Sequence, residues 1–428
     1  MNHPSILIFF PNNCFPPLHG SHHRCIQQLD DLRHSYRIYY ASSRESTDTS
    51  WPVDSKACTL SAMQYGIQEV FLFEDSLAGR FDHILGVLIW KFYLATDFAF
   101  FKNLRLLFQK WIMALWFGWL ATSLKAVSVI IHYTKWAFLS RFIGSPLKVI
   151  ELHDILPIQI YLVSELRKIL QSSNPNQLLN QVPWPWYIDN SDQLPVNVIA
   201  KIKRDNHELN RFDMVWMISK REQYLLQNLG LSSRSVIIYP SVSTNCLAEC
   251  KLLPPLLPLG PNVFNAYSML RFIRDVIPLI DVDLEQPAEI LVTGSLGYSY
   301  PSIEIRPPLR HVGFVDDYLD LLSRSCLMLA PTAVGTGQQV KIFEALSVGT
   351  PVLAYKSAVP DDVLASNPCI IAVDNETQFA TYLSDFIKNK QLRTKYAQLA
   401  VKSSVDQAGV IASRPYSHSL RASSSPAP

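Results

Sequence analysis

The chain has 428 residues, 48% of them hydrophobic, which exceeds one ordinary core and suits two α/β domains. Its formal net charge is +2, so bulk charge offers no argument for a nucleic-acid partner. The cysteines are scattered. Only Cys246 and Cys250 lie close, with no second pair or nearby His to complete a zinc site, so reduced thiols are expected.

Met1 to Pro4 carries no basic segment, and the apolar run from Ile6 to Phe10 is short. A first buried strand, Ser5 to Phe10, is therefore expected rather than a signal peptide. A loop rich in Pro, Asn and Gly follows, Pro11 to Ser21. Cys25, Leu29 and Leu32 then recur at helical spacing within His22 to His34, and Tyr36 to Ala41 is again β-rich. Strand, loop, helix and strand make a βαβ unit, which predicts a parallel sheet. Asp82 to Ala126 reads as one or two helices. From His83 to Ile150 there are eight Lys or Arg against one acid, Asp97, among many Trp, Phe, Tyr and Leu residues. The longest uncharged run there, Trp111 to Leu124, is shorter than the roughly 20 residues of a spanning helix. Two readings stay open for it. One is an aromatic, basic helix lying on an anionic membrane surface; the other is a buried helix with solvated lysines.

Strands are expected at Val127 to Tyr133 and Lys148 to Leu152, then a helix at Ile158 to Leu170 and a long loop at Gln171 to Pro195. Helix Val196 to Asn210, strand Met214 to Ile218, helix Lys220 to Leu229 and strand Val236 to Tyr239 follow. The proline-rich passage Ser241 to Pro261 marks a domain boundary on composition. It gives an N-terminal domain over 1–245 and a C-terminal domain over 246–402. The C-terminal domain continues as helix Phe264 to Val276, strand Glu289 to Thr293, strand His311 to Phe314 and helix Asp316 to Ser323. Strand Cys326 to Ala330, helix Gln338 to Ser347, strand Pro351 to Tyr355 and strand Ile370 to Val373 complete its sheet. Residues 403–428, rich in Ser, Ala, Arg and Pro, read as a disordered tail. Two successive α/β domains predict a cleft between their sheets, with ligands bound at the carboxyl ends of strands.

The richest passage for chemistry is Cys326 to Tyr355. A buried strand runs into a loop with Gly335 and Gly337, then a short helix, then Gly349 as a stop. Glycines let a backbone approach a ligand closely, and a helix N-terminus favours an anion such as a diphosphate. Lys341 adds a cation in the first turn. Glu344 follows one turn on, where a carboxylate accepts two hydrogen bonds from a ribose diol. By mechanics alone this is also a plain strand–helix connection.

The run PTAVGTGQQVKIFEALSVGTPVLA resembles the donor-binding signature of retaining glycosyltransferase family 4, the group 1 glycosyltransferases. It matches the pattern K-x-x-E-A-x-x-x-G-x-P-V with Lys341, Glu344, Ala345, Gly349, Pro351 and Val352. The resemblance implies the GT-B fold, two Rossmann-like domains whose parallel sheets face an interdomain cleft. It implies a nucleoside diphosphate sugar as co-substrate, no cofactor or metal, and a glycan or lipid-linked acceptor at a cytoplasmic site or the inner face of the plasma membrane. It makes Glu344 the ribose contact. Many members carry a further Glu eight residues before it, where this chain has Thr336, which points to a divergent subgroup. Gly335, Thr336 and Gly337 would then meet the diphosphate or sugar through backbone amides.

Other stretches share the resemblance. His311 to Asp317 is similar to the family's G-x-V-x-D segment, with Gly313 and Phe314 lining the base pocket. Pro261, Asn262 and Asn265 resemble a P-N-x-x-N start to the C-terminal domain. The family's Arg and Lys pair for the donor phosphates is not evident, with Lys341 or Arg271 as stand-ins. Pro16 to Arg24 is similar to the family's loop after the first strand, which sets Gly20, Ser21 and Arg24 on the cleft or acceptor side. His19, His22 and His23 have no carboxylate at ligand spacing, so a metal there is not expected. His153, after the strand ending at Leu152, matches the family's catalytic-wall histidine, with His132 as a weaker cleft candidate. The implied activity is glycosyl transfer with retention. A GT-B binding protein without catalysis and a sugar-nucleotide epimerase stay open as alternatives.

Overall fold

The computed structural model describes residues 3–17, 20–43, 55–96, 99–144, 146–172, 175, 179, 192, 194–239, 253–281, 289–332, 334–335, 339–412 and 415–424. The first half forms a parallel sheet of seven strands: β1 (Ser5–Phe9), β2 (Arg37–Ser42), β3 (Ile67–Leu72), β4 (Ala126–His132), β5 (Leu147–Glu151), β6 (Met214–Met217) and β7 (Arg234–Ile237). Their spatial order is β3-β2-β1-β4-β5-β6-β7. The second half forms a six-stranded parallel sheet of β8 (Leu256–Pro258), β9 (Ile290–Thr293), β10 (Leu309–Gly313), β11 (Met328–Ala330), β12 (Val352–Tyr355) and β13 (Ile370–Val373), in the order β10-β9-β8-β11-β12-β13. Central strands such as β1, SILIF, are buried on both faces, which is why they read as unbroken apolar runs. Register is set early, with Leu7 opposite Tyr39 of β2 and Val129 of β4.

Several elements were not legible. The helix Ser55–Met63 and β3 lie where the sequence pattern is weakest. β3 is an edge strand, and its exposed Gln68 and Glu69 dilute the apolar signal. β8 lies between prolines, which argue against a central strand. It nevertheless sits at the middle of the second sheet, because Leu256 donates to Leu327 and Leu259 to Thr293 while Pro258 itself needs no partner for an N–H.

The helix Leu156–Leu170 packs against the helix Val263–Arg271, and Val263, Tyr267 and Val334 join the core of the first half. Tyr267 donates its hydroxyl to the carbonyl of Leu179 at 2.9 Å. These contacts join the two halves of the chain.

The expected disordered tail is corrected in part. Pro415–Ser424 is a helix that returns to the first domain and lies on the helix Gly20–Leu32. Tyr416 and Leu420, one turn apart, are buried there, with the Tyr416 ring 5.0 Å from that of Trp216. Asp31 holds the new helix start, accepting from the Tyr416 amide at 2.7 Å and the Ser417 hydroxyl at 2.5 Å. Composition pointed to disorder because only two apolar anchors are needed when a preformed socket awaits them.

The region between β3 and β4 folds as two helices, Leu77–Thr96 and Ala99–Ser123. Leu77, Phe81, Ile84 and Leu88 are exposed along the first at helical spacing, and Phe108, Trp111, Leu115 and Trp119 along the second. Leu77, Leu115 and Trp119 also line a largely apolar cavity of about 1010 Å³ beside β3. Among the described residues, no helix is long and apolar enough to cross a membrane.

Candidate active site

One candidate site is built from strand ends of the second sheet. β8 ends at Pro258, β9 at Thr293, and the chain leaves β10 at Gly313. Gly260, Thr293, Gly294, Phe314, Tyr318, Lys341 and Glu344 are among the residues lining a cavity of about 220 Å³ there. Gly294 has φ +102°, and a Cβ on it would meet the Leu259 carbonyl oxygen at 2.2 Å. Only glycine allows the backbone to pass so closely behind the cavity.

Asn262 and Asn265 show what the P-N-x-x-N pattern does. Asn262 caps the helix Val263–Arg271 by accepting from the Asn265 amide at 2.8 Å. Asn265 then donates to the Gly260 carbonyl at 3.1 Å and accepts from Lys341 Nζ at 3.3 Å. Lys341 also donates to the Pro258 carbonyl at 3.1 Å. The ammonium is thus fixed against the end of β8. Glu344 lies one turn along on the same helix, Val340–Ser347, beside Tyr318. That helix ends in a Schellman motif at Gly349, φ +65°, with the Thr350 amide on the Ala345 carbonyl at 2.8 Å.

Burial decides the electrostatics. It lowers the Lys341 ammonium to about 8, opposed by the Glu344 charge. It raises the Glu344 carboxyl to about 7, opposed by the Lys341 charge and by Tyr318. Both groups therefore titrate near neutrality.

In the first domain, His153 follows β5 and His132 ends β4. The His132 Nδ1 is 3.0 Å from His153 Nε2, and its Nε2 is 3.1 Å from Gln28 Oε1. Gln28 donates through Nε2 to Glu151 at 2.6 Å. Glu151 also pairs with Arg24 and accepts from the Tyr416 hydroxyl at 3.1 Å. The imidazole of His153 stacks on Tyr133, with centroids 4.3 Å apart, and both pack around Phe10. Burial pulls His132 down to about 4, against the raising effect of Glu151, so it is neutral at pH 7.

The predicted residues fall in different places. Lys341 and Glu344 line the cavity with Phe314, which is 77% exposed, and Gly313 immediately precedes it at φ +75°. Gly335 is buried after Val334. Thr336 and Gly337 lie outside the described residues. Gly20 starts the first helix and Ser21 is in its first turn. Arg24 does not line an open cleft. It is 3% exposed and turned inward onto Glu151, under the Tyr416 ring. A guanidinium beside a buried carboxylate gains more there than in water. Arg271, the other candidate stand-in for a phosphate-binding cation, is ion-paired with Asp275 and Glu376. The residues that sequence did not single out are Gly260, Thr293, Gly294 and Tyr318 on the donor side, and Gln28, Glu151 and Tyr416 opposite. A Thr-Gly directly after an apolar strand was the available signal for Gly294.

Residues 261–389 match the family model described as glycosyl transferases group 1. Sucrose-phosphate synthase from Thermosynechococcus elongatus aligns with a TM-score of 0.59 at 12% identity, over 99% of this chain and 100% of that one. Anabaena HepE, solved with UDP and glucose, aligns at 0.58 and 13%, over 99% and 100%. A glycosyltransferase from Rickettsia africae aligns at 0.57 and 10%, over 99% and 98%. No curated protein sequence matches the chain. Residues 261–389 thus carry a group 1 glycosyl transferase domain, which supports a transferase, and the chain as a whole shares the GT-B fold of these structures.

Proposed function

We propose that the chain is a divergent, retaining family 4 enzyme that transfers a sugar from a nucleoside diphosphate sugar to an acceptor hydroxyl in glycan or surface polysaccharide synthesis. The observation that carries this is the convergence of Lys341 and Glu344 with the backbone of Gly260 and Gly294 around one cavity. In this reading, Glu344 accepts both ribose hydroxyls of the nucleotide. Lys341, the helix N-terminus and the amides around Gly335 to Gly337 stabilise charge on the departing diphosphate. These groups supply positive charge of their own, so the reading does not call on a metal. His153 stands on the facing wall as the catalytic-side residue that meets the transferred sugar. The bond to the diphosphate breaks as the acceptor oxygen bonds to the anomeric carbon from the same face. The acceptor proton leaves with the diphosphate, so no separate base is required. Closing the domains 1–245 and 246–402 on the donor excludes water and suppresses hydrolysis. A neighbour of the same fold was solved with UDP-glucose, which supports a uridine nucleotide as the first donor to try.

The exposed apolar stripes on Leu77–Thr96 and Ala99–Ser123, with the basic excess of 83–150, support peripheral contact with an anionic membrane and a lipid-linked acceptor. A second reading, a GT-B binding protein without catalysis, is favoured by Thr336 and by the engagement of Arg271 in ion pairs.

Calorimetry against a panel of nucleoside diphosphates, followed by transfer assays with the sugar nucleotide of the base that binds, tests the proposal. Saturable binding with turnover is expected. Binding with neither transfer nor donor hydrolysis would favour the second reading, and interconversion of donors without acceptor would make the chain an epimerase. No binding to any nucleotide would end the donor assignment.

A further inference from the structure

We infer that Glu151, Gln28 and His132 form a buried hydrogen-bond chain that makes His153 Nε2 a proton donor, so that in the neutral ring the lone pair lies on Nδ1. The inference rests on the assignment of His153 to the catalytic wall.

The polarity of the chain follows from one charged end. Glu151 is fully buried and ion-paired with Arg24, so its oxygens only accept. Gln28 lies 2.6 Å from Glu151 Oε2 and must turn its NH₂ group toward it. The opposite flip would set an amide oxygen against a carboxylate in a dry site, which the low local dielectric makes costly. With its NH₂ group committed, Gln28 presents Oε1 to His132 Nε2 at 3.1 Å. An amide oxygen cannot donate, so His132 carries its proton on Nε2. His132 is neutral at pH 7, and its Nδ1 is therefore an acceptor. Glu151 Oε2 stands 3.7 Å from that Nδ1, beyond hydrogen-bond reach, and does not compete for a proton there. The remaining partner of Nδ1 is His153 Nε2 at 3.0 Å, which must then donate. Each assignment follows from the one before it.

The surroundings hold the chain in place. Glu151, His132 and Gln28 are all fully buried, and Tyr416 from the C-terminal helix closes Glu151 from the far side. Phe10 packs edge-on to His132 with centroids 4.8 Å apart, and Tyr133 stacks on His153. These contacts leave the two imidazoles little freedom to rotate. Gln28, His132 and Glu151 are positioning residues, since they act on the reaction through His153.

Ring nitrogen shifts of ¹⁵N-histidine-labelled full-length protein at pH 7 test the polarity directly, with the ring signals assigned through His132→Phe and His153→Phe variants. A neutral Nε2–H ring at His132 and a proton on Nε2 of His153 are expected. A His153 ring protonated on Nδ1 alone would overturn the inference. The second arm is Gln28→Met, which keeps the volume and removes both amide contacts. The His153 signals should then shift toward a mixture of tautomers. The transfer rate kcat should fall about tenfold or more with donor KM unchanged, as expected for a mis-set tautomer. An unchanged His153 tautomer in folded Gln28→Met protein would also overturn it. If the tautomer changes and kcat does not, the chain stands and the catalytic assignment of His153 fails instead.

Discussion

The two walls of the cleft are built in opposite ways. The donor wall gathers Pro258 to Asn265, Gly294, Phe314 and the Lys341–Glu344 helix from within one domain, and its key side chains are only half-buried. The facing wall joins Arg24, Gln28, His132, Glu151 and Tyr416 from nearly opposite ends of the sequence, and buries every one of them. A half-buried charge is held ready for a ligand, whereas a fully buried one must find its partners inside the fold. Substitution on the donor wall should therefore harm binding and chemistry first, and on the facing wall stability first.

The largest expected effect is on the facing wall. Arg24→Ala leaves the Glu151 carboxylate buried without its cation and should lower unfolding free energy by about 3–5 kcal/mol in urea titrations. A loss under about 1 kcal/mol with transfer abolished would return Arg24 to the cleft and break the contrast. On the donor side, Glu344→Ala should reduce kcat/KM by roughly 10- to 100-fold, the worth of charged hydrogen bonds to a diol, with the melting temperature little changed. Normal turnover in that variant would remove Glu344 from the donor site.

The next effect sharpens the electrostatic half of the contrast. Glu344 is raised by burial to about 7, so it becomes protonated as pH falls below that value and the ribose loses its acceptor. Lys341 is lowered by burial to about 8, so its charge is lost as pH rises above that. Donor kcat/KM should therefore be bell-shaped with its maximum between the two, each limb falling about tenfold per pH unit. Glu344→Gln should remove the acid limb, and its persistence in that variant would assign the limb to another group. The smallest effect concerns the outer surface. Trp119→Ala, at a side chain 64% exposed, should weaken flotation with anionic vesicles several-fold while leaving activity on a soluble acceptor intact. Failure of the unaltered protein to float would argue for a soluble acceptor.

How much of this was legible follows the same division. Lys341 and Glu344 share one face of one helix, so their cooperation is written in a spacing of three residues. Asn262 and Asn265 were visible as a pattern, but only the fold shows that Asn265 ties Lys341 to the end of β8. Arg24 was visible as a residue and misplaced in role, because sequence shows that it begins a helix and not which way the guanidinium turns.

The sequence by itself determined the parallel strands of both domains, through apolar runs that must be buried on both faces, and the Gly349 stop, through the positive φ that few other residues tolerate. Tertiary structure alone decided the edge strand β3, the proline-flanked β8, the return of Pro415–Ser424 and the chain from Glu151 to His153. Each depends on a partner far away in sequence. A short edge strand, a helix with two anchors or a buried carboxylate becomes stable only when that partner is already in position.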